Sequence, residues 1–130
     1  MITAKSVLVT GGAGYIGSHT CWKLVESGYR VTVLDNFYSG HHWAVHPRAK
    51  LIEGDAGDEE LVRRTLREDN ISSVIHFAGH IVVPESVSDP LKYYRNNTCV
   101  SRALIAACRA EDVRDFVFSS SAAVYGIPAK

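Results

Sequence analysis

Three regularly spaced glycines, Gly11, Gly14 and Gly17, follow an apolar run that begins at Ser6. Where such glycines join a strand to a helix, one permits a tight turn, one lets the backbone approach a pyrophosphate, and one lets the helix pack closely on the strand. The unpaired amides and the positive dipole end of the helix then favour a phosphate. The pattern predicts a dinucleotide-binding turn; the alternative is a glycine turn that binds no ligand.

Asp35 ends the apolar segment VTVLD, 18 residues beyond Gly17, where a carboxylate can accept hydrogen bonds from the ribose hydroxyls of adenosine. The same charge repels a 2′-phosphate, and no arginine follows directly, so NAD is favoured over NADP. Alternatively, Asp35 is a solvated residue that starts a loop. Asp55 also has two open interpretations: it receives the adenine amino group, or it caps the helix that follows.

Strand-like and helix-like segments alternate along the chain, which predicts an α/β fold with a doubly wound parallel sheet. Right-handed crossovers give the strand order 3-2-1-4-5, with the chain truncated after the fifth strand. The predicted strands are 6–10, 31–35, 50–53, 73–77 and 115–119. Their carboxyl ends share one rim, and polar or glycine residues there favour a binding edge: Thr10, Gly11, Asp35, Asp55, Ala78, Gly79 and 119–121.

Three segments carry the apolar spacing of helices, and 37–48 is predicted to be a loop. In the first helix Ile16, Thr20 and Leu24 share one face, and Gly28 ends the helix. The other two helices are predicted over 58–69 and 100–108.

The composition bounds the class of protein. The chain has 130 residues and a hydrophobic share of 46%, which predicts one globular domain over 1–130. With 14 basic and 14 acidic residues it lacks the basic footprint of a nucleic-acid or membrane-surface protein. No signal-peptide pattern and no apolar run near the roughly 20 residues of a membrane span is present. We expect a cytoplasmic location and partners that are small molecules or protein.

Histidines and cysteines offer no convincing metal site. His76 lies in an apolar strand and is expected to be a hydrogen-bonded core residue. His41, His42 and His46 form a cluster that no cysteine or carboxylate completes. The cysteines lack metal or redox spacing and are expected to be reduced thiols in or near the core: Cys21, Cys99 and Cys108.

The chain resembles the UDP-glucose 4-epimerases, a family within the extended short-chain dehydrogenase/reductases. The resemblance covers nearly the whole chain and corresponds to the N-terminal, cofactor-binding part of these enzymes, which implies a Rossmann-like fold and NAD as cofactor. The motifs that carry it are TGGAGYIGSHT (10–20), LDN (34–36), EGD (53–55), VIHFAG (74–79), PESVSDPLKYYRNN (84–97) and FSSSAAVYG (118–126).

The resemblance also implies roles for single residues. Ser121 matches the residue that hydrogen-bonds the sugar hydroxyl being oxidised, although 119–121 could be only a polar strand end. Asn96 would help to hold the cofactor, and 77–79 would line its nicotinamide end. The complete implied cofactor set is Gly11, Gly14, Tyr15, Ile16, Gly17, Asp35, Asn36, Asp55, Phe77, Ala78, Gly79, Asn96 and Ser119.

The implied reaction removes hydride from C4 of a UDP-hexose and returns it to the other face of the 4-keto sugar. The family's base is a tyrosine in a Tyr-x-x-x-Lys motif, and Tyr125 with Lys130 does not have that spacing. We therefore expect NAD binding by a catalytically incomplete chain without the UDP-sugar domain. Ile81 stands where many members carry a lysine, and Ala122 with Ala123 argues against a dehydratase.

Two other hypotheses remain open. The chain could be a stand-alone nucleotide-binding or regulatory module without catalysis, or a structural remnant that binds nothing. Under all three hypotheses the bare edge of the fifth strand favours a homodimer or the swapping of a strand between copies.

Overall fold

Five parallel strands form the centre of the fold in the computed structural model, which describes residues 5–121, 124, 126 and 127. Their order is β3-β2-β1-β4-β5, which confirms the predicted doubly wound sheet. Each predicted strand boundary lies within one residue of the observed one. The strands are β1 (Ser6–Thr10), β2 (Arg30–Asp35), β3 (Lys50–Glu53), β4 (Ser73–His76) and β5 (Asp115–Phe118).

Helices cover both faces of the sheet. The three predicted helices are observed as α1 (Tyr15–Glu26), α2 (Glu59–Glu68) and α5 (Val100–Ala110). Two short helices lie between β4 and α5. The sequence 92–95 indicates the exposed start of a helix, and α4 (Pro90–Tyr93) overlaps it, whereas α3 (Val83–Ser88) was not predicted. A π-helical segment (Tyr94–Cys99) joins α4 to α5 in one continuous helix, since its flanking residues keep helical dihedrals. The predicted loop 37–48 contains one turn of 3-10 helix (His42–Ala44).

The core has two layers, one on each face of the sheet. On one face Leu8 and Val74 pack with Leu104 of α5 and with α2. On the other face Val9 and Val33 pack against α1. Because β1 is covered on both faces, all five of its residues are buried, as expected for the central strand of a parallel sheet.

The buried face of α1 is not the one that carries Ile16, Thr20 and Leu24. The residues that α1 buries are Gly17, Ser18, Cys21 and Val25, whereas Ile16 is 59% exposed. Small side chains let α1 approach β1 closely, and this leaves little apolar periodicity in the sequence. The predicted end is confirmed, since Gly28 has a φ of +87° and follows the last turn.

Two of the three cysteines lie in the core. Burial raises the pKa of Cys21 to about 12, with a further contribution from the Asp35 charge, and raises that of Cys108 to about 11. Both thiols therefore stay protonated at neutral pH. Cys99 is exposed, so its predicted place in or near the core is wrong; it lies on the outer side of the π-helical segment.

Candidate cofactor-binding site

Each of the three glycines has a different role in the turn after β1. Gly11 has a φ of +68°, and a Cβ there would lie 2.7 Å from the Ala78 nitrogen. A Cβ on Gly17 would collide with the Gly11 carbonyl oxygen, so this glycine lets α1 pack on the turn. A Cβ on Gly14 would meet only the Gly11 oxygen, at 3.4 Å. Gly14 is therefore the position where a ligand can approach the backbone.

The N-terminus of α1 suits an anion. Gly14 is its N-cap and makes no side-chain capping bond, and the described first turn contains no acidic residue. The amides of 15–17 have no carbonyl one turn earlier within the helix. Tyr15 and Ile16 are 82% and 59% exposed. A phosphate here would meet backbone donors and the positive dipole end without competition from a carboxylate.

Asp35 ties the glycine turn to the loop after β2. Its carboxylate is buried, with Oδ2 accepting a hydrogen bond from the Ala13 amide at 3.0 Å and Oδ1 accepting one from the Phe37 amide at 2.8 Å. Each carboxylate oxygen has a second lone pair, so it can also accept from a ligand hydroxyl. The next residue, Asn36, is exposed and accepts from the Tyr38 amide. Asp35 is therefore a buried structural acceptor and not a solvated loop residue.

Asp55 does not cap α2. Asp58 is the N-cap and accepts from the Leu61 amide at 3.0 Å. Asp55 is exposed, and its Oδ1 accepts from the Gly57 amide at 2.7 Å. The capping interpretation of Asp55 is therefore wrong, and its contact with adenine stays a prediction.

The segment Phe77–His80, called here the β4 loop, lies beside the glycine turn. The Phe77 amide donates to the Thr10 carbonyl at 3.0 Å, and the Ala78 amide reaches the Thr10 hydroxyl at 3.4 Å. The Phe77 side chain packs into the core on the α1 side. Gly79 is exposed at the tip of the loop.

Asn97 was missed by the sequence analysis, which singled out Asn96. The Asn97 Oδ1 accepts from the His80 amide at 2.8 Å, and its Nδ2 donates to the His80 carbonyl at 2.9 Å. Asn96 is half-buried in the same π-helical segment, and its contact with a cofactor stays a prediction. The Asn-Asn doublet was the available signal, but sequence alone does not say which residue faces the loop.

His76 is a hydrogen-bonded core histidine, as predicted. It is 1% exposed, with Nδ1 at 2.6 Å from the Thr10 hydroxyl and Nε2 at 2.9 Å from the Ser101 hydroxyl. Burial lowers its pKa to about 4, so the ring is neutral near pH 7.

A polar cluster fixes the segment between the β4 loop and α5. Glu85 accepts from Lys92 and from the Tyr93 hydroxyl, the latter at 2.8 Å, and the Val82 amide donates to the same hydroxyl at 3.1 Å. The hydrogen bond between Lys92 and Glu85 lowers the pKa of the Glu85 carboxyl and raises the pKa of the Lys92 ammonium group. Ile81, beside this cluster, is 87% exposed.

The serines after β5 lie on the rim. The Ser119 amide donates to the His76 carbonyl at 3.2 Å, and both Ser119 and Ser121 are exposed. Both serines are therefore accessible to a ligand, and their contacts with one stay predictions. Four residues of the sequence analysis lie outside the described residues: Ala122, Ala123, Tyr125 and Lys130.

Within the described ranges 5–121, 124, 126 and 127, no group of three or more His, Cys, Asp or Glu side chains could hold a metal ion. No helix in that same part of the chain has the length and apolarity needed to cross a membrane.

The sheet order, the glycine turn into α1 and the acid that ends β2 place the protein in the Rossmann-like class of α/β proteins. The chain belongs to the NAD dependent epimerase/dehydratase family, because the profile of that family matches residues 7–130.

Individual relatives confirm the resemblance to UDP-glucose 4-epimerases. The UDP-glucose 4-epimerase of Lactobacillus helveticus is 53% identical over 124 residues, which cover 95% of this chain and 38% of that protein. The crystal structure of the Brucella ovis UDP-glucose 4-epimerase in complex with NAD has a TM-score of 0.89 and 45% identity, over 98% of this chain and 39% of that one. The Bifidobacterium longum UDP-glucose 4-epimerase in complex with NAD+ and UDP has a TM-score of 0.87 and 40% identity, over 97% of this chain and 40% of that one. The chain thus spans well under half the length of these relatives.

Proposed function

We propose that the chain is the NAD-binding part of an enzyme of the UDP-glucose 4-epimerase type. The observation that carries the proposal is the start of α1, where helical amides follow a glycine whose Cβ position is open. A pyrophosphate fits the chemistry of these donors. The NAD complex of the Brucella ovis relative, similar over 98% of this chain, supports the same cofactor.

The proposed contacts follow the rim from β2 to β5. The amides of 15–17 hold the pyrophosphate, with Gly14 letting it approach the backbone and Gly11 shaping the turn. Asp35 and Asn36 receive the adenosine ribose, and Asp55 receives adenine. The nicotinamide half lies on the opposite side of β1, along Phe77, Ala78, Gly79, Asn96 and Ser119.

The proposal for the complete enzyme is interconversion of UDP-glucose and UDP-galactose. When bound, NAD supplies a reversible hydride acceptor for C4 of the sugar. Ser121, exposed on the same rim, would hydrogen-bond the sugar hydroxyl. Since the chain spans about 38% of the Lactobacillus helveticus relative, we propose that it binds NAD without completing this reaction alone. Turnover of UDP-galactose by the isolated chain in a coupled assay would contradict that part.

Calorimetric titration of the chain with NAD, NADP and ADP-ribose tests the cofactor assignment. We expect NAD and ADP-ribose to bind and NADP to bind more weakly, because Asp35 repels a 2′-phosphate. Asp35→Ala should weaken NAD binding by roughly 1 to 3 kcal/mol, because it removes a charged hydrogen-bond acceptor. It should weaken NADP less, so the preference for NAD falls.

A matched control separates this effect from a general loss of stability. Asp58→Ala removes the cap of α2 and should cost about 1 kcal/mol of stability while leaving NAD affinity unchanged. If Asp35→Ala weakens NAD and NADP equally, the ribose assignment fails; if the unmodified chain binds neither NAD nor ADP-ribose, the proposed function fails.

We further propose that copies of the chain associate through β5. This strand is the outermost one on its side of the described sheet, and Val117 and Phe118 are 54% and 59% exposed. An uncovered apolar edge strand offers unpaired backbone groups to a second strand.

A further inference from the structure

The two ends of the β4 loop are connected through the interior of the protein. At one end the Ala78 amide donates to the Thr10 hydroxyl. At the other end the Asn97 side chain is hydrogen-bonded to both the amide and the carbonyl of His80. His76 and Ser101 lie between these ends. His76 is hydrogen-bonded to Thr10 and to Ser101, and Ser101 is hydrogen-bonded to the backbone carbonyl of Asn97. We call these hydrogen bonds the series. The proposed cofactor contacts do not use either residue.

Proton counting gives this series one direction. The backbone carbonyl of Asn97, four residues before Ser101, can only accept, so the Ser101 hydroxyl at 2.6 Å must donate its single proton to it. Ser101 then accepts from His76, which places the ring proton on Nε2. Because burial keeps the ring neutral, Nδ1 has no proton and accepts from the Thr10 hydroxyl. Thr10 keeps a lone pair for the Ala78 amide.

Every donor in the series therefore has an acceptor. Reversing one bond would leave two donors or two acceptors facing each other inside the protein, where an unmet polar group is costly. The described structure has no buried side-chain nitrogen or oxygen without a partner among residues 5–121, 124, 126 and 127. The series thus couples the position of α5 to both ends of the β4 loop.

Topology places this loop over one half of the cofactor. β2 and β4 pair with β1 on opposite sides. If Asp35 at the end of β2 receives the adenosine ribose, the nicotinamide half extends toward β4 and its loop. This step rests on the proposed function.

We propose that the side chains of Thr10, His76 and Ser101 and the backbone carbonyl of Asn97 form a directional hydrogen-bond relay, and that this relay, with the Asn97 side chain bonded to His80, positions the β4 loop for the nicotinamide half of NAD. Ser101 is a positioning residue in this relay: it lies on α5, contacts His76 and Asn97, and acts on the loop through them.

Ser101→Ala tests the relay because it removes the hydroxyl on which the direction depends. Titrating the 130-residue variant with NAD and with ADP-ribose separates loop positioning from general destabilisation, since ADP-ribose lacks the nicotinamide. We expect NAD affinity to fall about tenfold, the scale of one lost buried hydrogen bond, and ADP-ribose affinity to stay within about twofold. Ser101→Thr retains a hydroxyl and should restore most of the NAD affinity.

The outcomes are distinguishable. Equal weakening of NAD and ADP-ribose, or no change in either, overturns the relay while the cofactor site stands. Equal affinity of the unmodified chain for both ligands also overturns it, because the nicotinamide half would then contribute nothing. If the unmodified chain binds neither ligand, the proposed function fails and the relay loses its role.

A second measurement does not require any variant to fold. Nitrogen-15 NMR of the unmodified chain distinguishes the two neutral histidine tautomers. We expect the proton of His76 on Nε2; a proton on Nδ1 would reverse the series and overturn the relay.

Discussion

The Lys92 ammonium group lies 3.0 Å from the Tyr38 phenol oxygen. Tyr38 belongs to the loop after β2, and Lys92 belongs to α4, which follows β4. Because β1 lies between β2 and β4 in the sheet, this contact bridges the carboxyl end of β1, where we place the pyrophosphate. The His80 ring lies against Tyr38 with 4.5 Å between ring centroids, and Glu85 holds Lys92 from the other side. The bridge thus joins the segments that follow β2 and β4, the two strands that flank β1.

Removing the Tyr38 hydroxyl should loosen this bridge. Tyr38→Phe loses the bond to Lys92 but keeps the ring against His80, so the free energy of unfolding should change by less than about 1 kcal/mol, as expected for an exposed contact. We expect the dissociation rate constant of NAD to rise by about threefold to fivefold, measured by stopped-flow fluorescence. Tyr94→Phe, on an exposed tyrosine of the adjoining π-helical segment, is the control. An unchanged dissociation rate in Tyr38→Phe would show that the bridge does not retain the cofactor.

Two alanine substitutions in the glycine turn should have opposite consequences. Gly17→Ala forces a Cβ against the Gly11 carbonyl and should cost about 3 kcal/mol of stability or more. Gly14→Ala meets no such obstacle and has a φ of −82°, so it should cost less than about 1 kcal/mol. Its methyl group would stand where we place the pyrophosphate, and NAD affinity should fall by about tenfold or more. Urea unfolding and calorimetry measure the two effects. Full NAD affinity in a folded Gly14→Ala variant would contradict the assignment.

His76 should make the protein sensitive to acid. Its pKa is about 4 in the folded protein because of burial, against 6.5 for an ordinary histidine. Between these values the unfolded chain binds more protons, so the contribution of His76 to stability is complete above pH 6.5 and is lost as the pH falls toward 4. The expected loss is up to about 3 kcal/mol, measured by urea unfolding between pH 7.5 and 4.

Variants identify the source of that dependence. His76→Gln should show a flatter pH profile despite a lower stability at pH 7.5. His41→Gln, at an exposed histidine, should keep the profile of the unmodified chain. A profile that is the same in all three proteins would exclude His76 as the cause.

Self-association through β5 should respond to charge. Val117→Lys places an ammonium group on the edge strand, which opposes pairing with a second strand, and the association constant should fall by about tenfold. Sedimentation velocity measures it. Val87→Lys, at a 79% exposed valine of α3, is the matched control. If both variants, or neither, weaken association, the interface lies elsewhere.

The sequence predicted the sheet well because its signals are local. Each strand is a short apolar run, and the order follows from the handedness of the crossovers, so both were confirmed. The signal for α5 is equally local, because its apolar residues recur at helical spacing and Leu104, Ala107 and Cys108 among them are buried. The sequence does not reveal the buried face of α1, because Gly17 and Ser18 on that face interrupt the apolar pattern.

The polar contacts of the site lay beyond sequence reasoning. Thr10 and His76 are far apart along the chain, and a hydrogen bond between such residues leaves no periodic trace. Choosing Asn97 over Asn96 requires the phase of the helix, which the π-helical segment shifts. Bridging by Lys92 and Tyr38 depends on loop conformations that composition does not determine.

An uninterrupted α-helix from Pro90 to Ala110 would lock the direction of Asn97 to that of the buried stripe, since each residue turns the helix by about 100°. The π-helical turn between Tyr94 and Cys99 changes this spacing, so Asn97 stands at a different angle to the buried residues Leu104, Ala107 and Cys108 than an α-helix would give. Its amide therefore reaches His80 while α5 keeps these three side chains against the sheet.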